Sequence, residues 1–257
     1  MRVWFGGSPD GAKGTSVTET TEKSVYPKSP PQVRSLFNAL APRYDFLNHL
    51  FSMGLDFTWR RRAVRALAPD VPGPLLDAAT GSADLAIALA RRYADRAVTG
   101  VDFSPAMLDR ARDKVRAAGL STRVALEVGD VTALPYEAGT FAGATIAFGI
   151  RNVPDRALAL SELTRVLRSG GRLAVLELSI PTAPVFAPVY LWYFRRVMPA
   201  AASIVRQGPV FRYLFESVRA FPEPERFRAM MSAAGLGDVA VRPLTLGAAR
   251  LYVGTKP

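Results

Sequence analysis

The sequence predicts an α/β fold in which a mostly parallel sheet is covered by helices on both faces. Between residues 74 and 178, short apolar runs alternate with stretches of helical period. Strand–helix–strand units of this length join parallel strands through right-handed crossovers. The chain has 257 residues, of which 49% are apolar, so it can bury a substantial core. We therefore expect one main domain that binds its ligands at the carboxyl ends of the strands.

The first 70 residues are expected to precede this sheet. Residues 1–31 are rich in Gly, Ser, Thr and Pro and lack apolar periodicity, which predicts a disordered tail. The segments VRSLFNAL and LDFTWRRRAVRALA have helical patterns, and the second places four apolar side chains in one stripe: Leu55, Trp59, Val64 and Leu67. We expect residues 32–70 to form a helical cap within a single domain that spans residues 32–257.

The alternating part of the chain is predicted to contain five strands with helices between them. The strands are PLLDAA, AVTGVDF, RVALEVGD, FAGATIAF and RLAVLEL. The helices are DLAIALARRYA, PAMLDRARDKVRAAG and DRALALSELTRVLRSGG, and Gly119 closes the second of them.

The residue counts exclude several kinds of chemistry. The chain has no cysteine, which rules out disulfides, thiol catalysis and Cys-ligated zinc. Its one histidine, His49, does not suffice for a His-rich metal site or for a catalytic triad that needs a second histidine. We therefore expect no metal ion in the site.

A formal net charge of +11 favours an anionic partner, either nucleic acid or an anionic membrane surface, over a merely basic exterior. The basic residues are spread along the chain without a basic tail or an aromatic-studded basic motif, which argues against nucleic acid. No apolar run approaches the ~20 residues of a spanning helix, and the N-terminus lacks the apolar core of a signal peptide. We expect a cytoplasmic protein.

The segment DAATGSADLA follows the first strand and leads into a helix. Gly81 can adopt the positive φ of a sharp turn, while the backbone N–H groups of Ser82, Ala83 and Asp84 can bind a ligand carboxylate. By itself this pattern is equally typical of an ordinary turn in which Asp84 caps the helix.

Two further carboxylates follow the second and third strands. Asp102, 25 residues beyond Asp77, is placed to accept hydrogen bonds from both hydroxyls of an adenosine ribose. Its alternative role as a helix cap is already filled by Ser104, which precedes Pro105. Asp130 and the backbone of Val131 can contact an adenine ring, although the spacing fits a turn-forming aspartate equally well.

The acidic strand ends, the FGIRN segment and the SGGRL turn together resemble the class I S-adenosylmethionine methyltransferases, which have a Rossmann-like fold. A nicotinamide-dependent dehydrogenase lacks support because G-x-G-x-x-G is absent from the first turn. From residue 31 to residue 257 the chain resembles the quinone-biosynthesis C-methyltransferases, which methylate demethylmenaquinol and, in some lineages, a polyprenyl benzoquinol. The segments that carry this resemblance are VRSLFNALAPRYDFLNHLFSMGLDFTWRR, DAATGSADLA, FGIRNVPD, LRSGGRLAVLE, YLFESVRAFPEPERFRAMMSAAGL and VGTKP.

The resemblance implies S-adenosylmethionine as the cofactor and a set of cofactor-binding positions. They are Tyr44, which would close over the cofactor, together with Gly81, Ser82, Asp102, Asp130, Val131 and Ala147. The chain departs from the family pattern at two of the relevant positions. Ala83 replaces a glycine and is expected to be helical, and Ala147 replaces a serine, which removes a hydroxyl.

The resemblance also implies a reduced polyprenyl quinol as the acceptor, whose ring carbon is most nucleophilic when a hydroxyl has lost its proton. Arg151 is the candidate for stabilising that phenolate, and a structural ion pair is the alternative. Asp45 and His49 are candidate proton acceptors, with alternatives in a local pair with Arg43 and in a surface role. A methyltransferase-like module without activity, a methyltransferase for another small acceptor and a homodimer stay open.

A polyprenyl quinol resides in the bilayer, so we expect an apolar entrance next to positive charge. The segment PVFAPVYLWYFRRVMP, residues 184–199, combines Trp192 and other aromatic residues with Arg195 and Arg196. We expect it to line the quinol entrance and to contact the inner face of the anionic cell membrane peripherally. The alternative is a buried helix packed on the sheet.

Overall fold

The strands and helices between residues 75 and 178 follow one another along the chain in the order that the alternation predicts. The computed structural model describes residues 30–41, 44–181 and 208–257, together with the single residues 184, 188, 192 and 196. The helices are α1 (Pro30–Leu40), α2 (Tyr44–Phe51), α3 (Asp56–Leu67), α4 (Asp84–Arg92), α5 (Pro105–Ala117), α6 (Arg156–Val166), α7 (Gly208–Arg219) and α8 (Pro224–Ala233). The strands are β1 (Leu75–Ala78), β2 (Val98–Asp102), β3 (Val124–Val128), β4 (Phe141–Ala147), β5 (Leu167–Leu178), β6 (Gly237–Leu244) and β7 (Ala249–Thr255).

Seven strands form one sheet in the order β3-β2-β1-β4-β5-β7-β6. Strands β1 to β5 pair in parallel, whereas β7 runs antiparallel to both β5 and β6. The chain moves outward from β1 through β2 to β3 and then returns to β4 on the other side of β1. This reversal places a cleft at the carboxyl ends of β1 and β4, where open α/β sheets bind their ligands. The prediction of a Rossmann-like, mostly parallel sheet is confirmed.

Helices cover both faces of the sheet and bury two apolar layers. The layer under α3, α4 and α5 contains Trp59, Val64 and Leu67, so the stripe expected on α3 does face the core. The opposite layer lies under α6 and α8 and contains Leu160 and Phe227. Helix α1 packs on the start of α5, where Val33 and Phe37 join Met107 in a small separate cluster.

The boundary between α6 and β5 differs most from the sequence predictions. Helix α6 ends at Val166, whereas the pattern predicted helix as far as Gly171, and residues 167–171 instead begin β5. Gly170 turns with φ +75°, and the register against β4 shifts between Phe141 and Gly143, so the bend is absorbed inside the strand. Helix α1 begins at Pro30, two residues before the expected domain boundary. The predicted tail spans residues 1–31; its residues 1–29 lie outside the described residues, and its last two residues belong to α1 instead.

Candidate active site

The turn between β1 and α4 has a more unusual backbone than the sequence suggested. Gly81 has φ +56°, and Ala83 has φ +67° and ψ +20°, which is the left-handed conformation. The expectation of helical geometry at Ala83 is therefore wrong. The N–H of Ala83 donates to the Thr80 carbonyl at 2.9 Å, which closes a tight turn. Ala83, not Asp84, is the N-cap residue of α4, so the alternative with Asp84 as the cap is also wrong.

Asp102 lies at the end of β2 and faces this turn. Its Oδ2 accepts the N–H of Gly81 at 2.8 Å, and its Oδ1 accepts the N–H of Ser104 at 2.9 Å. Burial raises the pKa of Asp102 to about 6, although these hydrogen bonds oppose the shift. Ser104 caps α5 by accepting the N–H of Met107 at 3.2 Å, as predicted. Asp102 is consequently not the cap of α5.

Asp102 lines a cleft of about 250 Å³ at the carboxyl ends of the strands. Its other lining residues are Val33, Ala79, Phe103, Gly129, Asp130, Val131, Thr132, Gly149, Asn152, Val153, Pro154, Asp155 and Leu158. Asp130 Oδ1 accepts the N–H and the hydroxyl of Thr132 at 2.8 and 2.7 Å, so the turn-forming role exists. The same carboxylate also borders the cleft beside buried Val131.

The donors and acceptors of this cleft fit an adenosine group. A buried carboxylate at the end of the second strand suits two ribose hydroxyls, because each of its oxygens has a lone pair beyond the one used by the backbone. Among the described residues, only Thr132 donates to the carboxylate of Asp130, and it does so at Oδ1, so Oδ2 remains for an amino group. Apolar side chains, including Val131, Val153 and Leu158, form most of the wall.

A second, narrower cavity lies on the other side of Ala79, at the start of α4. Its lining residues are Arg60, Asp77, Ala79, Thr80, Ser82, Asp84, Leu85 and Ala147. Asp77 accepts the hydroxyls of Thr80 at 2.6 Å and Thr145 at 2.8 Å, and burial raises its pKa to about 6. The sequence prediction used Asp77 only as the reference position for the spacing to Asp102. The position of a carboxylate inside the apolar run PLLDAA could have indicated that Asp77 belongs to the site.

Asp45 of α2 contacts the turn between β1 and α4, which we call the cofactor loop. Arg43, the partner that the sequence offered, lies outside the described residues. It accepts a hydrogen bond from the Ser82 hydroxyl and forms ion pairs with Arg110 at 2.8 Å and Lys114 at 3.1 Å. Burial would raise the pKa of Asp45, but the Ser82 hydrogen bond and the Lys114 charge lower it below its ordinary value. These three contacts already engage the Asp45 carboxylate. Through them Asp45 links α2 to the loop, and its role as a proton acceptor stays a prediction.

Arg151 lines a third cavity, together with Asn48, Ser52, Asp56, Trp59, Phe148, Leu178 and Leu214. Its Nη1 contacts Glu177 Oε1 at 3.0 Å and the Phe148 carbonyl, and its backbone N–H donates to Glu177 Oε2 at 3.2 Å. Both side chains of this ion pair are buried. Arg151 therefore forms a structural ion pair and also lines a cavity. The sequence did not indicate that Glu177 is its partner.

His49 is held by a carboxylate that sequence reasoning missed. Its Nδ1 lies 2.9 Å from Asp56 Oδ2, and its ring stacks on Phe57 with centroids 4.3 Å apart. Burial would raise the pKa of Asp56, but the positive charge of Arg60 and hydrogen bonds from Ser52 and His49 lower it. The His49 side chain is 29% exposed, so it connects buried Asp56 with solvent. The spacing of seven residues between His49 and Asp56, across the turn at Gly54, is the sequence signal that could have indicated this pair.

The segment from Phe148 to Asn152 separates the adenosine cleft from the third cavity. Gly149 and Asn152 line the cleft, whereas Phe148 and Arg151 line the third cavity. This segment follows β4 and bends sharply, because Phe148 has φ +55° and residues 150–152 form a turn of 3₁₀ helix. Two cavities thus meet at one short backbone segment.

Two predicted features cannot be placed fully. Tyr44 begins α2, but its side chain lies outside the described residues, so closure over the cofactor stays a prediction. The segment 184–199 also falls largely outside them, although Trp192 is described and is 60% exposed. No helix within the described residues is long and apolar enough to cross a bilayer.

Comparison with known proteins agrees with this geometry. The model of the ubiE/COQ5 methyltransferase family matches residues 22–256. A ubiquinone/menaquinone biosynthesis C-methyltransferase of Geobacter sulfurreducens is 43% identical over 226 residues, which are 88% of each chain. A demethylmenaquinone methyltransferase of Thermus thermophilus is 48% identical over 223 residues, which are 86% of this chain and 100% of the relative.

Solved structures show the same fold at low sequence identity. An S-adenosylmethionine-dependent methyltransferase of Thermotoga maritima has a TM-score of 0.61 at 20% identity and covers 88% of this chain and 100% of its own. Another, of Methanococcus maripaludis, has a TM-score of 0.62 at 19% identity, with coverages of 85% and 93%. The fold, the paired cavities and the close relatives agree: this chain belongs to the ubiE/COQ5 methyltransferase family.

Proposed function

We propose that this chain transfers a methyl group from S-adenosylmethionine to a ring carbon of a reduced polyprenyl quinol, converting demethylmenaquinol to menaquinol. The relatives from Geobacter sulfurreducens and Thermus thermophilus are named for this chemistry. The observation that carries the proposal is the position of the FGIRN segment, residues 148–152. This segment lines the adenosine cleft on one side and the third cavity on the other. A methyl donor and an acceptor bound in these cavities would meet at this segment.

The cofactor, when bound, supplies an electrophilic methyl group on a sulfonium sulfur. The acceptor ring carbon would form a bond to the methyl carbon as the bond from sulfur to methyl breaks, the sulfur would leave as a neutral thioether, and the acceptor would release the proton of that ring carbon. The protein has to hold the carbon, methyl and sulfur in line and keep the acceptor hydroxyl close to its phenolate form. The residues of the third cavity are therefore the ones that carry the acceptor chemistry.

Arg151 is proposed to donate a hydrogen bond to the acceptor oxygen. The contacts of its Nη1 with Glu177 and the Phe148 carbonyl fix the guanidinium at the cavity wall. Because Glu177 offsets much of the positive charge, we expect Arg151 to orient the oxygen and share its developing charge rather than ionise it alone.

We propose that Asp56 accepts the proton that the quinol releases in the third cavity. His49 contacts Asp56 and supports it in this role. Asp56 faces the cavity, and its hydrogen bond with His49 provides a route from a buried carboxylate to a partly exposed ring. The Asp56 carboxylate is ionised at neutral pH because its pKa is lowered. In this arrangement His49 is a positioning residue and not the group that touches the substrate.

The third cavity measures only about 20 Å³, which is too small for an aromatic ring. Its walls include the described side chains of Asn48 from α2 and Ser52 from the following turn. Entry of the acceptor therefore requires α2 or the neighbouring side chains to shift outward. The apolar walls, formed by Trp59, Phe148, Leu178 and Leu214, would then exclude water from the reacting groups.

Labelled methyl transfer tests this function directly. Reduced prenyl naphthoquinol and reduced prenyl benzoquinol are each supplied with labelled S-adenosylmethionine, and the methylated product is identified. We expect label in the naphthoquinol ring, while label in neither quinol would contradict the proposal. Calorimetric titration with S-adenosylmethionine separates failure of the acceptor from failure of the whole enzyme, since a module without activity that has lost its site shows no saturable binding.

We also infer that the protein reaches its acceptor by peripheral contact with an anionic membrane. The net charge of +11 and the exposure of Trp192 support this inference. Such contact is weak and falls with ionic strength, because exposed charges are screened.

A further inference from the structure

The surface between α3 and α4 contains a groove of about 480 Å³ whose walls are rich in arginine. Asp84 is the one carboxylate among its lining residues, and it already forms ion pairs with Lys114 and, at 3.8 Å, with Arg60. The groove therefore carries a strong excess of positive charge. Its basic lining residues are Arg60, Arg61, Arg65, Arg91 and Arg92.

Four of these arginines are not neutralised by the part of the chain that the structure describes. Arg61, Arg65, Arg91 and Arg92 are exposed, and no described carboxylate lies within ion-pair distance of them. Arg61 and Arg65 are four residues apart on α3 and so share one face of the helix. Arg91 lies across the groove, in the last turn of α4. This arrangement suits several anionic groups held side by side.

Exposed apolar side chains continue this face beyond the groove. Phe46 of α2, Met53 of the following turn and Phe57 of α3 are 56%, 60% and 55% exposed. Phe57 also lines the arginine groove, so the apolar and basic surfaces meet there. His49 lies three residues after Phe46 on α2 and stacks on Phe57, which connects the two helices.

The same elements carry the proposed acceptor cavity on their inner side. Asn48 of α2, Ser52 of the turn and Asp56 of α3 line that cavity, while Phe46, Met53 and Phe57 face outward. A surface seated on this outer side would lie next to the elements that must shift to admit the acceptor.

We propose that this face docks on an anionic bilayer, with lipid phosphates in the arginine groove and Phe46, Met53 and Phe57 in the boundary of the acyl chains. The pairing of a basic groove with exposed apolar side chains is the composition of an interfacial surface. Nucleic acid would neutralise the arginines but leave Phe46 and Met53 in water. The choice of a membrane rests on the proposed function, whose acceptor is a lipid.

Co-sedimentation with vesicles of phosphatidylglycerol and phosphatidylcholine tests the docking face. The variant Arg61→Glu, Arg65→Glu, Arg91→Glu is compared with the matched control Arg219→Glu, Arg226→Glu, Arg242→Glu, whose exposed arginines belong to α7, α8 and β6. At about fivefold per arginine, we expect the groove variant to lose about a hundredfold or more in vesicle partitioning. The control should lose much less. Equal losses, or no loss in the groove variant, would overturn the proposal.

Two further arms identify the occupant and separate this proposal from the enzymatic one. We expect Phe46→Ser, Met53→Ser to weaken vesicle binding at high salt, where charge is screened; unchanged binding there would contradict the apolar contact. Tighter binding to a mixed-sequence oligonucleotide than to vesicles would also overturn the proposal.

Methyl transfer to a short-chain, water-soluble quinol should persist in the groove variant. Vesicle binding without methyl transfer in the wild type would refute the proposed function and leave the docking face intact.

Discussion

At the scale of single residues, three of the described non-glycine residues with positive φ lie at the cavities or in the cofactor loop. Ala79, Ala83 and Phe148 have φ of +49°, +67° and +55°, and each of them lines a cavity or shapes the cofactor loop. A left-handed conformation costs a residue with a Cβ about 1–2 kcal/mol. Strain of this size is retained where the surrounding packing fixes the chain, as at many functional sites.

Ala83→Gly should cost much less stability than the same change at a right-handed position. Relief of the left-handed conformation gains about 1–2 kcal/mol. This gain offsets the loss of about 0.8 kcal/mol from one buried methyl group and of about 0.5–1 kcal/mol from the greater freedom of glycine in the unfolded chain. Ala88→Gly, in the right-handed interior of α4, is the matched control and should lose about 1 kcal/mol. Urea unfolding of both variants measures the difference. A loss in Ala83→Gly as large as that of the control would contradict the assigned conformation.

Asp102→Asn should weaken the binding free energy of S-adenosylmethionine by about 1.5–3 kcal/mol, because ribose hydroxyls would lose a charged acceptor. In the wild type, burial raises the pKa of Asp102 to about 6, so the affinity should fall as the pH drops through that value. The variant should show no such step. Calorimetric titrations between pH 5 and pH 8 provide the test, and a pH-independent wild type would remove Asp102 from the site.

Arg151→Lys should lower turnover while leaving the affinity for S-adenosylmethionine nearly unchanged. Lysine keeps the charge but cannot contact Glu177 and the Phe148 carbonyl with a planar group and still reach the acceptor. Turnover and cofactor titration, measured on the same preparation, separate these effects. Equal activity in the variant would exclude a direct role for Arg151.

At the scale of elements, α2 connects the cofactor loop to the acceptor cavity. Asp45 attaches the helix to Ser82, Arg110 and Lys114, while Asn48 lines the third cavity. Because that cavity is too narrow for a ring, the strength of the Asp45 contacts limits how far α2 can move. The loop and the cavity are thus coupled through one helix.

Asp45→Asn should loosen α2 without unfolding the sheet. The pKa of Asp45 is lowered in the folded protein, so its stabilising contribution is present above the ordinary value of 3.8 and is lost as the pH falls through the lowered one. At neutral pH we expect faster amide exchange over residues 44–51 and unchanged exchange in β1 and β4. Protection of α2 equal to that of the wild type would show that other contacts hold the helix.

At the scale of the whole molecule, we propose that two parts of the chain contribute to membrane contact. The groove face lies on α3 and α4, and the aromatic segment of residues 184–199 follows β5. Trp192→Ser, Arg195→Glu, Arg196→Glu should reduce sedimentation with anionic vesicles at low salt, after its folding has been verified. If this variant sediments like the wild type, the segment does not form the quinol entrance.

The sequence by itself determined the parallel part of the sheet, the helices α3 to α6 and the family to which the chain belongs. These features depend on local patterns: apolar period, turn residues, and motifs such as FGIRN that carry their information in adjacent positions. Asp102 and Asp130 could also be placed at the cleft from sequence, because the ends of parallel strands meet at one edge. The antiparallel strands β6 and β7 were not predicted, since their pattern says little about direction.

Only the tertiary structure decided how the site residues are paired. Glu177 meets Arg151 from 26 positions away, and Asp45 meets Ser82 from 37 positions away, through contacts that no local pattern encodes. The left-handed conformation of Ala83 likewise follows from the fixed positions of β1 and α4, which override the preference of alanine for a helix. Local sequence specifies the elements, whereas the packing between them selects the partners and the strained conformations.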